Sequence, residues 1–219
     1  MLRMTYALPF TSTQFFEVFG RYNEAVWPLQ VLIYGLALPA TILLFRPSVA
    51  ADRFISGTLA LMWLWTGTVY HWLFFYAINP AALIFGFGFV AQGAIFLVRG
   101  TAQHRIRFGY SRGLRAAVGL GFILYSGIIY PLIGIGFGHG YPNAPLFGVT
   151  PCPVTIFTFG CLLLLRSPIE WWIVALPVVW SLIGGTAAFL LEVPQDWLLL
   201  VSGVATVGIL ARTWPPLLK

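Results

Sequence analysis

Lysine occurs once in this chain, at the terminal Lys219, and only 8% of the residues carry charge. Soluble domains carry about 25% charged residues, so too few are present here to build a solvated surface. With no other lysine, a Schiff base to a retinal-type cofactor in the last apolar segment is excluded. Acids are scarce as well. Glu17, Glu24, Asp52, Glu170, Glu192 and Asp196 all fall near the ends of apolar runs or in the amphipathic N-terminal segment. No carboxylate is therefore expected mid-span to relay protons or hold a coupling ion. The two cysteines, Cys152 and Cys161, would lie about 13 Å apart on a helix, beyond disulfide reach. There is no HExxH, GxSxG, P-loop or CxxC pattern. There is also no low-complexity tract and no internal repeat.

Apolar residues make up 59% of the chain, in runs that approach or exceed the roughly 20 residues a helix needs to cross a bilayer. Seven segments qualify: 25–46, 53–78, 80–99, 113–137, 153–166, 169–191 and 195–212. The expected fold is all-α, a polytopic transmembrane helix bundle forming a single integral membrane domain over 1–219. The fifth segment is short. It must borrow flanking residues, tilt little, or fail to span. The opening "MLRMTYALPF" lacks the apolar core of a cleaved signal peptide.

Arginine positions give an orientation. Arg46 and Arg53 bracket one loop. Arg99, Arg105, Arg107, Arg112 and Arg115 crowd another. Arg166 follows the fifth segment, and Arg212 and Lys219 follow the seventh. The alternate loops carry no Arg or Lys. This puts the N-terminus outside, the C-terminus in the cytoplasm, and the protein in the inner (plasma) membrane. The net charge of +6 is then mostly a topology signal facing lipid headgroups, and no nucleic-acid partner is expected.

Residues 10–24 read as an interfacial amphipathic helix. Thr11 and Gln14 have the spacing of a capping box, and Phe10 and Phe15 that of a hydrophobic staple. Gln14, Glu17, Arg21 and Glu24 form one polar stripe. Phe15, Phe16, Phe19 and Tyr22 lie elsewhere around the helix, facing headgroups or the bundle.

The candidate site residues gather on the outer side. In "WLWTGTVYHWLFFYAINP", His71 lies about 12 Å deeper than Asn79, with Tyr70 beside it. His71 reads either as a core histidine bonded to a neighbouring carbonyl or hydroxyl, or as a ligand, proton-handling or substrate residue. Glu24 either caps the first span or partners a histidine. The stretch "FGHGYPNAPLFGVTPCPVTIFT" brings His139, Tyr141, Asn143 and Cys152 to the same side. Its prolines restrict the backbone and its glycines permit tight turns. Residues 138–152 are expected to fold inward as an ordered cap over a polar pocket, with His71 at the floor. Glu24, Asn79, His139, Tyr141, Asn143 and Cys152 are candidates for its walls. His71, His139 and Cys152 are candidate ligands for a soft metal. A b-type haem needs two embedded histidines, and only His71 is clearly embedded. Cys161, Gln92 and the glycines of the third and fourth segments read as packing positions.

"LPFTSTQFFEVFGRYNEAVWP", "YHWLFFYAINPAALIFG" and "GYPNAPLFGVTPCPVTIFTFG" together resemble a bacterial multipass membrane family known only as a domain of unknown function. The resemblance covers most of the chain. It implies that these three outer-side stretches belong together and brings no activity or residue role. The expected function is a small-solute transporter or channel with an outward-facing vestibule for a neutral or weakly charged solute. The alternatives are a non-catalytic subunit of a membrane complex or homo-oligomer, and an outer-face metal-binding or enzymatic site.

Overall fold

The computed structural model describes residues 8–213. Most of the opening decapeptide and Lys219 lie outside the described residues. Among the described residues nine α-helices follow in order: α1 Ser12–Ala25, α2 Leu29–Leu43, α3 Val49–Trp65, α4 Ala82–Ile95, α5 Leu114–Leu124, α6 Tyr130–Gly136, α7 Pro151–Leu162, α8 Trp171–Leu190 and α9 Trp197–Thr213. Among the described residues β-structure is confined to one isolated bridge, Phe108 to Leu165. Three stretches wind as π-helix inside longer helical runs: Thr66–Phe74 after α3, Phe96–Ala102 after α4, and Tyr125–Ile129 between α5 and α6.

The first helix is made by local chemistry. The Thr11 hydroxyl accepts from the Gln14 amide N–H (3.2 Å) and the Gln14 side-chain oxygen accepts from the Thr11 N–H (2.9 Å), closing the capping box. The Phe10 and Phe15 rings stack 5.9 Å apart. Gln14, Glu17, Arg21 and Glu24 are exposed, while Val18, Phe19 and Tyr22 are buried. Pro28 breaks the run, having no amide donor, and α2 leaves α1 at 84°. The helix α1 thus lies across the end of the bundle and does not extend α2.

Among the described residues four helical stretches are long and apolar enough to cross a membrane: Ala82–Ala102, Leu114–Gly136, Trp171–Leu190 and Pro194–Arg212. The bent pair α1 and α2 makes a fifth if taken as one span. That is fewer than the seven segments expected, for physical reasons. The 53–78 segment is one continuous helical run from Val49 to Phe74, but its tryptophans, threonines, Tyr70 and His71 dilute its apolarity. The 153–166 segment forms only the twelve-residue α7, about 18 Å long against a hydrocarbon core of about 30 Å.

Every residue of α7 is buried, so this helix is the core around which the rest pack. Its contact with α5 is backbone to backbone: a Cβ added at Gly119 would meet the Gly160 carbonyl at 2.8 Å, and one at Gly160 the Gly119 carbonyl at 2.7 Å. The last carbonyls of a buried helix need partners. Arg115 supplies them, donating to Leu163 O (2.8 Å), Leu165 O (3.1 Å) and Leu162 O (3.4 Å).

The connections gather at two ends. At one, Tyr110 N–H donates to Leu44 O (2.7 Å), Gly109 N–H to Leu164 O (2.8 Å) and Arg166 N–H to Arg107 O (2.7 Å). Two acids at this end find partners far away in sequence and not beside them. Glu170 pairs with Arg99 at 2.7 Å, not with Arg166, whose side chain runs along Gly109. Asp52 is buried, accepts from Phe108 N–H (2.8 Å) and sits 2.8 Å from His104 Nε2, while Arg53 points to the exterior. The other end holds α1, the 137–150 loop and the Pro194–Asp196 turn.

Candidate functional site

The 137–150 loop is tied to α1 by side-chain-to-backbone bonds. Asn23, fully buried, donates to Pro142 O (2.6 Å) and Ala144 O (2.8 Å). The Tyr22 hydroxyl donates to Val149 O (2.7 Å) and accepts from Trp65 Nε1 (2.9 Å). The His139 ring stacks on Phe16, centroids 4.0 Å apart. At Gly148, φ is +76° and the Ile33 side chain fills the space a Cβ would need; only glycine satisfies both conditions. Prolines 142 and 145 lower the number of amide donors the loop must satisfy.

Beside this loop lies a cavity of about 180 Å³. Its walls come from Phe10, Phe15 and Phe19 near and on α1, from Tyr70, His71, Phe75 and Asn79 at the end of the α3 run, from Phe85 of α4, from Cys152 of α7, from Trp180, Ile183 and Thr186 of α8, and from Asp196. His71 sits on the π-helical turn, a wide winding that recurs at functional sites. Its ring is fully buried and neither nitrogen has a hydrogen-bond partner. What surrounds it is aromatic: Phe89 at 4.8 Å, Tyr70 and Trp180 at 5.2 Å, Phe85 at 5.9 Å between ring centroids. These rings pack the imidazole without satisfying it. The bonded core histidine that the sequence also permits is not what forms.

Asp196, Cys152 and Trp180 bring further polar atoms to this cavity. Asp196 is buried and accepts a hydrogen bond from the Tyr130 hydroxyl. The Cys152 thiol lies beside the Asp196 carboxyl and the Trp180 indole, and Trp180 Nε1 has no hydrogen-bond partner of good geometry. Sequence reading missed Asp196 and Trp180. Asp196 falls in the loop after the sixth apolar segment, where position alone does not mark it as buried. The signal that could have found it is "VPQDW": a single 3₁₀ turn, Pro194–Asp196, leads straight into α9 and gives the carboxyl no route to solvent.

A second, smaller cavity of about 90 Å³ is lined by Tyr130, Gly134, His139, Tyr141, Pro145, Leu146 and Gln195, among others. Gln195 is fully buried with both amide atoms unpartnered. Pro145 belongs to both walls.

The structure therefore divides the candidates. His71, Tyr70, Asn79 and Cys152 line one cavity; His139 and Tyr141 line the other. Asn143 lines neither and packs its side chain against Gly20. Glu24 is exposed on the polar stripe of α1 and reaches neither cavity, because the apolar side of that helix is the one that faces the bundle. Among the described residues no group of three or more His, Cys, Asp or Glu side chains is placed to hold a metal ion. His71, His139 and Cys152 do not form a ligand set. A haem between His71 and His139 would need them in one cavity.

Burial holds the His139 ring below its ordinary pKa, and the neighbouring Gln195 opposes this only in part. A histidine with a lowered folded pKa binds fewer protons folded than unfolded, so its contribution is full above the unfolded value of about 6.5 and is lost as pH falls. The melting temperature is expected to fall between pH 7 and pH 5. His139→Phe, which keeps the stack on Phe16, should flatten that dependence. An unchanged slope in the variant would assign the effect to another group.

These features define a class: an all-helical protein with four to five helices of membrane-spanning length and an aromatic cavity at one end. The family of unknown function DUF6064 matches residues 12–214, and the chain belongs to that family. No curated protein and no solved structure matches it.

Proposed function

We propose that this is a multipass inner-membrane protein that holds a small uncharged solute in the His71 cavity, as a carrier would. The carrying observation is His71: a fully buried imidazole on a cavity wall with both nitrogens unpartnered. An unsatisfied buried polar group costs about 1–3 kcal/mol, and a bound molecule that accepts from the ring N–H, or a hydroxyl that donates to the bare nitrogen, would remove part of that cost. The two sets of end contacts support seven passes, since successive helical runs lead from one set to the other. Arg99, Arg107 and Arg115 make their contacts in a single set, which supports placing that end in the cytoplasm.

An open channel is the poorer reading. Towards the arginine-bearing end, Phe96 and the α7 residues from Val154 to Leu162 are buried and line neither this cavity nor its neighbours, so no open path runs on to that end. A solute would be bound there first, and passage would need the helices to move.

His71→Phe tests this, because it keeps the ring and removes the nitrogens. The ligand-free variant is expected to melt higher than the wild type. Short alcohols and ketones such as hexanol and hexanone should stabilise the wild type and lose that effect in the variant. A wild type that gains nothing from such probes, or a variant that keeps the gain, would overturn the reading.

A further inference from the structure

The cavity at His71 extends in two directions: on one side Leu8, Phe10, Leu190 and Leu191 also line a shallow pocket bordered by Thr11, Ser12 and Gln14, and on the other it runs along α8. Its outer wall includes Ile183 and Leu190, both exposed apolar residues of α8, a helix long and apolar enough to cross a membrane. A cleft of about 160 Å³ between α4 and α8 continues from it, and Phe85, Trp180 and Ile183 line both spaces. This cleft is walled by Ile84, Gly88, Leu176 and Val179, and Ile84 and Val179 are exposed. Gly88 is what leaves it open, since a Cβ there would meet only Leu176, at an ordinary 3.8 Å. The two spaces form one bent groove with a polar end at His71 and an apolar end on the lipid-facing side.

We infer that the occupant is an uncharged, single-chain amphiphile dissolved in the bilayer, with its hydroxyl or carbonyl head at His71 and its chain in the α4–α8 cleft. This deepens the proposed function and rests on it.

The chemistry selects the class. Among the described residues no lysine or arginine lines either space, and the one charged side chain at the head end is the acid Asp196. A phosphate or carboxylate head would be buried there without a counter-charge, which is strongly unfavourable. A hydroxyl can both donate to and accept from an imidazole. The cleft offers only aliphatic and aromatic side chains, with Gly88, so it suits methylenes. A water-borne polar solute would leave those walls uncovered. An apolar molecule without a head would leave His71 unpaired.

The probe is hexadecanol carrying a diazirine near the end of its chain, added to the full chain in lipid nanodiscs and mapped by mass spectrometry after photolysis. Labels are expected within 84–89 and 176–183. Unlabelled hexadecanol should compete, and palmitate should not. Gly88→Leu should fill the cleft and lower labelling at least about tenfold, since two or more methylenes lose their burial. Hexanol should still stabilise that variant, which also shows that it is folded. His71→Phe should lower both. Labelling that is undiminished in Gly88→Leu, or spread evenly over other apolar faces, would overturn the chain assignment while leaving head binding intact. Equal competition by palmitate would overturn the uncharged head. Failure of hexanol to stabilise the wild type would instead remove the underlying reading.

Discussion

Gly160→Ala is expected to leave little folded protein. The added Cβ would stand 2.6 Å from Ile123 Cγ1, 2.7 Å from the Gly119 carbonyl and 3.1 Å from the Ile123 amide nitrogen. The latter two are backbone atoms of α5 and cannot rotate away as a side-chain end would. Either α5 moves or α7 does, and α7 is buried on every side. Overpacking a core costs about 1–3 kcal/mol and more where backbone must shift, and this site belongs with the upper end. The control lies on α5 itself: a Cβ at Gly121 meets nothing within 4 Å, so Gly121→Ala should be neutral or slightly stabilising. Melting curves of the two variants decide it. Equal stability would mean that the close crossing of α5 and α7 does not exist.

Arg115→Ala should be nearly as damaging, by about 2 kcal/mol, since it strands the carbonyls of Leu163 and Leu165 at the end of a buried helix, each costing about 1 kcal/mol or more, while Leu162 O keeps the Leu165 N–H. The residue is better known to this chain as a topology marker, yet its guanidinium holds α7. Arg115→Lys should recover only part of the loss, because one ammonium cannot reach three carbonyls with the geometry of the planar fork. Thermal unfolding of the three proteins in the same detergent measures this. Full rescue by lysine would show that charge alone matters at this position.

What the sequence makes legible is mostly local. The capping box of Thr11 and Gln14 and the stripe of α1 can be read because their partners lie three or four residues apart. The shortness of the fifth apolar segment is legible too, and α7 is indeed only twelve residues. The pairings between distant positions are not legible. Glu170 finds Arg99 across 71 positions, a choice set by how two loops meet. Asp196 is the clearest case. Hydropathy assigns it to a loop, and only the short turn between α8 and α9 and the Tyr130 hydroxyl account for its burial. His71 is legible as a candidate, but its unpaired state is not, because that depends on five aromatic rings arriving from the α3 run, α4 and α8. The π-helical turn that carries it has no sequence signature.

The central claim is that His71 is unpaired within the protein because a bound molecule completes it. The most direct measurement is an experimental density map of the full chain purified from cells without added ligand. An elongated non-protein density is expected in the cavity, within a hydrogen-bond length (about 3 Å) of a His71 ring nitrogen and continuing between α4 and α8. A collapsed cavity with the imidazole bonded to protein groups, or one in which only ordered water meets both nitrogens, would contradict it.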